Sequence, residues 1–100
     1  MSNLYVIRVD TNTTLDFGYD TYLVDASANN VELTLPEASG DGPSFIISRI
    51  DNSTNTVSIA PGTGSNLNGS TSAKTLGANE NVRLVLQNND WYTILGKWLL

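Results

Sequence analysis

Asp51-Asn52-Ser53-Thr54-Asn55 sets side-chain oxygens at alternating positions, the spacing with which a loop wraps a hard cation. The glycine and the distal bidentate glutamate of a calcium loop are missing, so the stretch reads as an Asx-stabilised turn and no metal is expected. Gly64-Ser65-Asn66-Leu67-Asn68-Gly69-Ser70-Thr71 has the glycine spacing of a phosphate-binding loop. It lacks the lysine that reaches the phosphates, and Ser70-Thr71-Ser72 leads into no helical pattern whose N-terminus would face an anion. A strand-connecting turn is the better reading. Glu32, Glu37, Asp41 and Asp51 are the carboxylates from which a glycosidase pair would be drawn, and that chemistry needs a separation of about 5 to 9.5 Å. The chain has no His and no Cys, which removes the commonest general base, thiolate nucleophiles and the two commonest zinc ligands together. No catalytic residue and no cofactor site is expected.

Charge narrows the partners further. Ten carboxylates against five Lys and Arg give a net charge of −5, spread without an acidic or basic block. Arg8, Arg49, Lys74, Arg83 and Lys97 are too few and too scattered for the cationic face that releases counterions from nucleic acid, so nucleic-acid binding is not expected. No run approaches the roughly 20 apolar residues needed to span a bilayer, and MSNLYVIRVD has neither the basic start nor the apolar centre of a signal peptide. A soluble chain without a membrane partner is the expectation. Asn12-Thr13-Thr14, Asn52-Ser53-Thr54 and Asn68-Gly69-Ser70 match the glycosylation sequon, as chance allows in a chain this rich in Asn, Ser and Thr.

The elements that must position these residues are strands. Lys, Ala and Glu are scarce, whereas Asn, Thr, Ser and Gly, which compete with helical backbone bonding, are abundant. Three apolar-rich segments, Val31 to Leu35, Phe45 to Ile50 and Thr56 to Ile59, are separated by turn-rich connections and read as consecutive strands. Val31, Leu33 and Leu35 alternate with Glu32 and Thr34, the period of a half-wet strand, and Pro36 stops it. Phe45 to Ile50 is apolar on both sides and should be fully covered. So is Leu4 to Val9, which fits either a central strand or an arm on another chain. Leu15 to Val24 forms a further β region broken at Gly18 and Asp20, and Gly62 to Ala73 is a weak region that forms either an ordered loop pinned by Leu67 or a flexible tip. Val82 to Leu86 and Trp91 to Leu95 flank Asn88-Asn89-Asp90 and form the clearest hairpin. The chain ends on Trp98-Leu99-Leu100, whose burial is worth roughly 1.5–3 kcal/mol per side chain, either under the protomer's own sheet or against a partner. The aromatics, Tyr5, Phe17, Tyr19, Tyr22, Trp91, Tyr92 and Trp98, read by default as core and cross-strand packing. The expectation is one all-β domain over residues 1–100, a compact antiparallel β-sandwich or barrel-like fold, with 1–12 as an N-terminal arm and 96–100 as a buried apolar segment.

The order Tyr22-Leu23-Val24-Asp25, Val31-Glu32-Leu33-Thr34-Leu35-Pro36, Gly42, Phe45-Ile46-Ile47-Ser48-Arg49-Ile50-Asp51, Asn55-Thr56-Val57-Ser58-Ile59, Leu67-Asn68-Gly69, Val82-Arg83-Leu84-Val85-Leu86 and Trp91-Tyr92 resembles a small β module of tailed-bacteriophage virion proteins. The resemblance runs from Thr21 to Leu95 and is to trimeric head-decoration, head-fibre and tail-fibre domains. It implies a homotrimer, apolar faces buried between protomers, and no catalysis. The span from Met1 to Leu100, with no repetitive shaft, favours a capsid decoration (cement) protein bound to the major capsid protein on the head surface of the virion. The alternative is the receptor-binding or carbohydrate-recognising tip of a tail fibre, with a host-surface glycan as partner. Leu4, Tyr5, Val6, Ile7, Trp98, Leu99 and Leu100 are the residues expected at the contacts between copies or with the shell.

Overall fold

The computed structural model describes residues 5–37 and 44–99. Nine strands occur among them and no helix. They are β1 (Val6–Val9), β2 (Thr13–Thr14), β3 (Thr21–Val24), β4 (Val31–Thr34), β5 (Ser44–Arg49), β6 (Val57–Ala60), β7 (Lys74–Leu76), β8 (Asn81–Gln87) and β9 (Asp90–Gly96). One sheet has the order β1-β3-β5-β8-β9 and the other the order β2-β4-β6-β7.

The all-β expectation holds, but the antiparallel one does not. β1, β3 and β5 run parallel, as do β2, β4 and β6; only β7, β8 and β9 join antiparallel. The reason lies in the connections. Up to β6 the chain alternates strand by strand between the sheets, so each return to a sheet comes after a crossover and brings the new strand in the same direction as the last. Three coils result, β1–β2, β3–β4 and β5–β6, and the antiparallel β7, β8 and β9 close the far side. The ladders form two separate sheets rather than a closed barrel.

Polar side chains at the coil corners stitch one coil to the next. The Asn12 Oδ1 accepts the Glu32 N–H at 2.8 Å and the Asn30 Oδ1 accepts the Thr56 N–H at 2.9 Å. On the other sheet Asp20 accepts the Tyr5 N–H and Asp51 accepts the Ala26 N–H. Each satisfies a backbone donor that the strand ends leave without a ladder partner.

Between the sheets lies one core. β4, β5 and β6 alternate buried with more open positions, so Val31, Leu33, Phe45, Ile47, Val57 and Ile59 all point inward. Phe45 stacks with Phe17 (5.7 Å between ring centroids) and packs on Trp91 (5.5 Å), and Tyr22 meets its edge at 5.8 Å. Of the aromatics read as core, Tyr22 and Trp91 are buried and Trp98 is half-buried, whereas Tyr5, Phe17, Tyr19 and Tyr92 are exposed. The β8–β9 turn is the two-residue hairpin that the sequence pattern predicts. Asn88 and Asn89 take φ of 53° and 70°, the left-handed pair that matches the strand twist. Gly96 closes β9 at φ 102°, where a Cβ would stand 2.1 Å from the Asn81 carbonyl oxygen.

Candidate assembly interface

The loop that resembles a phosphate cradle serves another purpose. Leu67 is fully buried, and around it the Asn68 N–H donates to the Trp91 carbonyl while the Trp91 N–H donates to the Asn66 carbonyl, both at 2.9 Å. The Asn68 side chain continues the pairing with the Thr93 N–H and hydroxyl. The segment therefore covers the outer edge of β9, and of the two alternatives it is the ordered loop pinned by Leu67.

The oxygens of Asp51 to Asn55 do hold a cation, and it is Arg49. Arg49 is 3% exposed; its Nε and Nη2 donate to the two Asp51 carboxylate oxygens at 3.1 Å each, its Nη1 to the Leu76 carbonyl at 2.8 Å and its Nη2 also to the Asn55 carbonyl at 2.6 Å. Ser53 braces the carboxylate through both its hydroxyl and its N–H. The Arg49 guanidinium, with these further donors, holds the Asp51 carboxyl well below the usual carboxylate range. Charge, fork geometry and carbonyl acceptors are mutually satisfied, which fixes β5, β7 and the 51–55 turn to one another.

Of the other carboxylates considered for catalysis, Glu32 and Glu37 are exposed, and Asp41 lies outside the described residues. Among the described residues no three His, Cys, Asp or Glu side chains gather as a metal site. Among the described residues three of the five cations are committed to ion pairs, Arg8 to Asp25, Arg49 to Asp51 and Lys97 to Glu80. Hydrogen bonds from Ser27 and then Arg8 lower the Asp25 carboxyl, and Lys97 does the same for Glu80. No helix of the described residues is long and apolar enough to cross a membrane.

The residues singled out for contacts fall at two opposite places. Tyr5 and Val6, 55% and 57% exposed, stand at the β1 edge of the five-stranded sheet, with Ile7 half-buried against the core. Trp98 is half-buried beyond the β9 edge, its indole N–H donating to the Thr75 carbonyl at 2.9 Å, while Leu99 is 55% exposed. Leu4 and Leu100 lie outside the described residues. Thus a protomer does not bring the two groups together, and β1 is an edge strand, not a central one.

Between these edges runs a surface that inspection of single strands missed. Register places Val6, Thr21, Ile46, Arg83 and Leu95 in one row across all five strands. Arg8, Leu23, Ser48 and Asn81 lie in the row to one side, and Ser44, Val85 and Tyr92 in the row to the other. These are the positions that alternate with the buried ones, so they face outward. A register slip between Arg83 and Leu84 leaves Ile94 as an extra, exposed residue beside them. β5 is therefore covered on its inner face only: Ile46 is half-buried and Ile50 exposed, against the expectation of full cover. None of these outward residues is a carboxylate, although the chain carries ten. Of the acids around the rim, Asp20 is engaged with the Tyr5 N–H, Glu80 with Lys97 and Asp90 with the Asn66 N–H, while Asp25 pairs with Arg8, which belongs to this face. Arg83, in the central row, has no ion pair among the described residues. The signal was present in Phe45 to Ile50 and in Val85, apolar on the side opposite the core, but only register joins them across strands.

Neither a scan against protein-family models nor a search of curated proteins found a match to this chain.

Proposed function

We propose that the chain is a non-enzymatic virion structural protein of a tailed bacteriophage, a capsid decoration (cement) protein that binds the major capsid protein on the head surface as a homotrimer. The observation that carries this reading is the outward face of the five-stranded sheet. A row of Val6, Ile46 and Leu95, flanked by Leu23, Val85 and Tyr92, is left uncovered by the protomer and kept free of carboxylates in an acidic chain. Apolar side chains gathered on an uncovered sheet face, here interspersed with Thr21 and Arg83, mark an interaction site, and a rigid two-sheet body is suited to presenting them. The mechanism needs no bond-making. A trimer touching several shell subunits holds them by multivalent contact, so its residence exceeds that of any single contact. Quantitative mass spectrometry of the purified virion tests the reading. Many copies per particle, retained on tail-less heads, are the expected result; a few copies confined to tails would overturn it.

The second reading, a carbohydrate-recognising tail-fibre domain, has one observation in its favour. Thr11, Asn12, Asn29 and Asn30 line an open polar groove of about 430 Å³. Because the Asn12 and Asn30 carbonyl oxygens are held by backbone N–H groups of the next coil, their amide NH₂ groups remain as oriented donors for hydroxyl-rich ligands. A glycan array separates the two: no binding is expected of the decoration protein, whereas a hit abolished by Asn30→Ala would favour the fibre tip.

A further inference from the structure

The loop that covers the β9 edge contains the only Asn-Gly pair of the chain, Asn68-Gly69. In such a pair the backbone nitrogen after the asparagine attacks the side-chain amide most readily, because glycine puts no Cβ in the way. Leu67 to Ser70 form a two-residue hairpin, the Leu67 N–H donating to the Ser70 carbonyl at 2.7 Å and the Ser70 N–H to the Leu67 carbonyl at 3.1 Å. Asn68 and Gly69 at its tip take φ of 50° and 82°. In the left-handed region ψ is about +47°, which turns the Gly69 nitrogen to the far side of the Asn68 Cα–C bond from Cβ, where no ring can close. The side chain is also held away. Its Oδ1 accepts the Thr93 N–H at 2.9 Å, and its Nδ2 donates to the Thr93 hydroxyl at 2.9 Å and to the Trp98 carbonyl at 3.5 Å. Gly69 itself is exposed, with nothing within 4 Å of where a Cβ would stand, so water reaches the turn. Asn79, Asn88 and Asn89 share the left-handed conformation, but Glu80, Asn89 and Asp90 follow them and their side chains shield the nitrogen.

We infer that Asn68-Gly69 is a self-modifying site whose chemistry the fold holds off and loop opening releases. Once the 66–70 segment leaves β9, ψ of Asn68 is free to turn. The Gly69 nitrogen then bonds to Cγ of Asn68 and gives up its proton, the Cγ–Nδ2 bond breaks, and the amide leaves with that proton as ammonia. Water opens the resulting cyclic imide at one of its two carbonyls. Breaking the nitrogen–Cγ bond leaves aspartate; breaking the bond from nitrogen to the main-chain carbonyl leaves an isoaspartyl linkage, with the main chain one methylene longer. Neither carboxylate product returns a donor to the Trp98 carbonyl. The isoaspartyl turn, moreover, no longer fits a two-residue hairpin that pairs with Trp91 on both sides, the Asn68 N–H donating to its carbonyl and its N–H to the Asn66 carbonyl, each at 2.9 Å. The modification is one-way. It converts a transient opening into a lastingly uncovered β9 edge with an added negative charge beside it, and an open strand edge is a template for pairing with another chain.

Peptide mapping by mass spectrometry follows the chain through incubation in mildly alkaline buffer. Cleavage after Arg49 and Lys74 places Asn52, Asn55, Asn66 and Asn68 in one peptide, so the other asparagines serve as internal controls. Conversion at Asn68 in the folded wild type is expected to be at least about 100-fold slower than in urea. Leu67→Ala should raise the folded-state rate at Asn68 at least about 10-fold and leave Asn52 unchanged. The isoaspartyl chain, made in urea and refolded, should exchange the Trp91 amide at least about 10-fold faster than the unmodified chain. Conversion at Asn68 as fast in the folded chain as in urea would overturn the protection. A rise at Asn52 that matches the rise at Asn68 in Leu67→Ala would overturn local loop opening as the gate, and unchanged Trp91 exchange in the isoaspartyl chain would overturn the uncovering of β9. Should Leu67→Ala not fold, Thr93→Val, which removes only the hydroxyl acceptor, decides: a rise at Asn68 of at least about 3-fold is expected, and no rise overturns the gate.

Discussion

Replacing Arg49 with methionine tests what holds the coils to their antiparallel closure. Methionine keeps most of the side chain's length and its apolar stem but removes the guanidinium. Asp51 is then left as a buried carboxylate, its side chain 7% exposed, and the Leu76 and Asn55 carbonyls lose their donor. Breaking a buried ion pair from one side costs about 3–5 kcal/mol, and the two orphaned carbonyls add about 1 kcal/mol each when water reaches them imperfectly. A loss of about 5 kcal/mol is therefore expected, against a total of about 5–15 kcal/mol for a domain. Urea unfolding followed by the fluorescence of the buried Trp91 reads it, as a midpoint lowered by about 3 M at an m-value of about 1.5 kcal/mol/M. Asp51→Asn in the same chain removes the orphaned charge and should restore about 2 kcal/mol of the loss. The pH dependence has a definite sign. Arg49 depresses the folded-state pKa of Asp51 below that of the unfolded chain, so this stabilisation is fully present above about pH 4 and is lost as pH falls toward the folded value. The wild type should lose about 1.4 kcal/mol per pH unit from this group below about pH 4, and Arg49→Met should not. A loss below about 1 kcal/mol in Arg49→Met, or a double variant no better than the single, would refute the account of the cluster.

Three other substitutions probe separate features. Gly96→Ala places a methyl against the Asn81 carbonyl at a positive φ, and the hairpin must shift to admit it; a destabilisation of about 3 kcal/mol or more is expected by thermal unfolding. Leu67→Ala empties the site that pins the loop over the β9 edge, lowering stability by about 2–5 kcal/mol and speeding amide exchange at Asn68 and Trp91, whose N–H bonds depend on that placement. Asn30→Ala removes a corner stitch at an exposed position, so about 1 kcal/mol is expected, with exchange at the Thr56 N–H rising more than elsewhere.

Much of the strand content was legible because alternation reports which residues face the core. Val31, Leu33, Val57 and Ile59 are inward in the sheet as they are in the pattern, and Asn88-Asn89 announces its own turn. Direction was not legible, since period-2 alternation is the same in parallel and antiparallel strands. Short polar connections suggested hairpins, whereas the chain uses them to cross between sheets. Arg49 stood among the scattered cations with no sign of burial, because its burial depends on the Leu76 carbonyl, 27 residues away. Likewise Val6 and Leu95 belong to one row only through four successive strand pairings, which no local window contains. The terminal apolar residues were recognised as unusual, but their separation at opposite edges became visible only with the strand order.

The claim that this chain works by assembly is tested most directly by its mass in solution. Sedimentation equilibrium of the wild-type chain at micromolar concentration and physiological salt should return three times the 10.8 kDa of the chain. A single species at 10.8 kDa across the concentration range would contradict it.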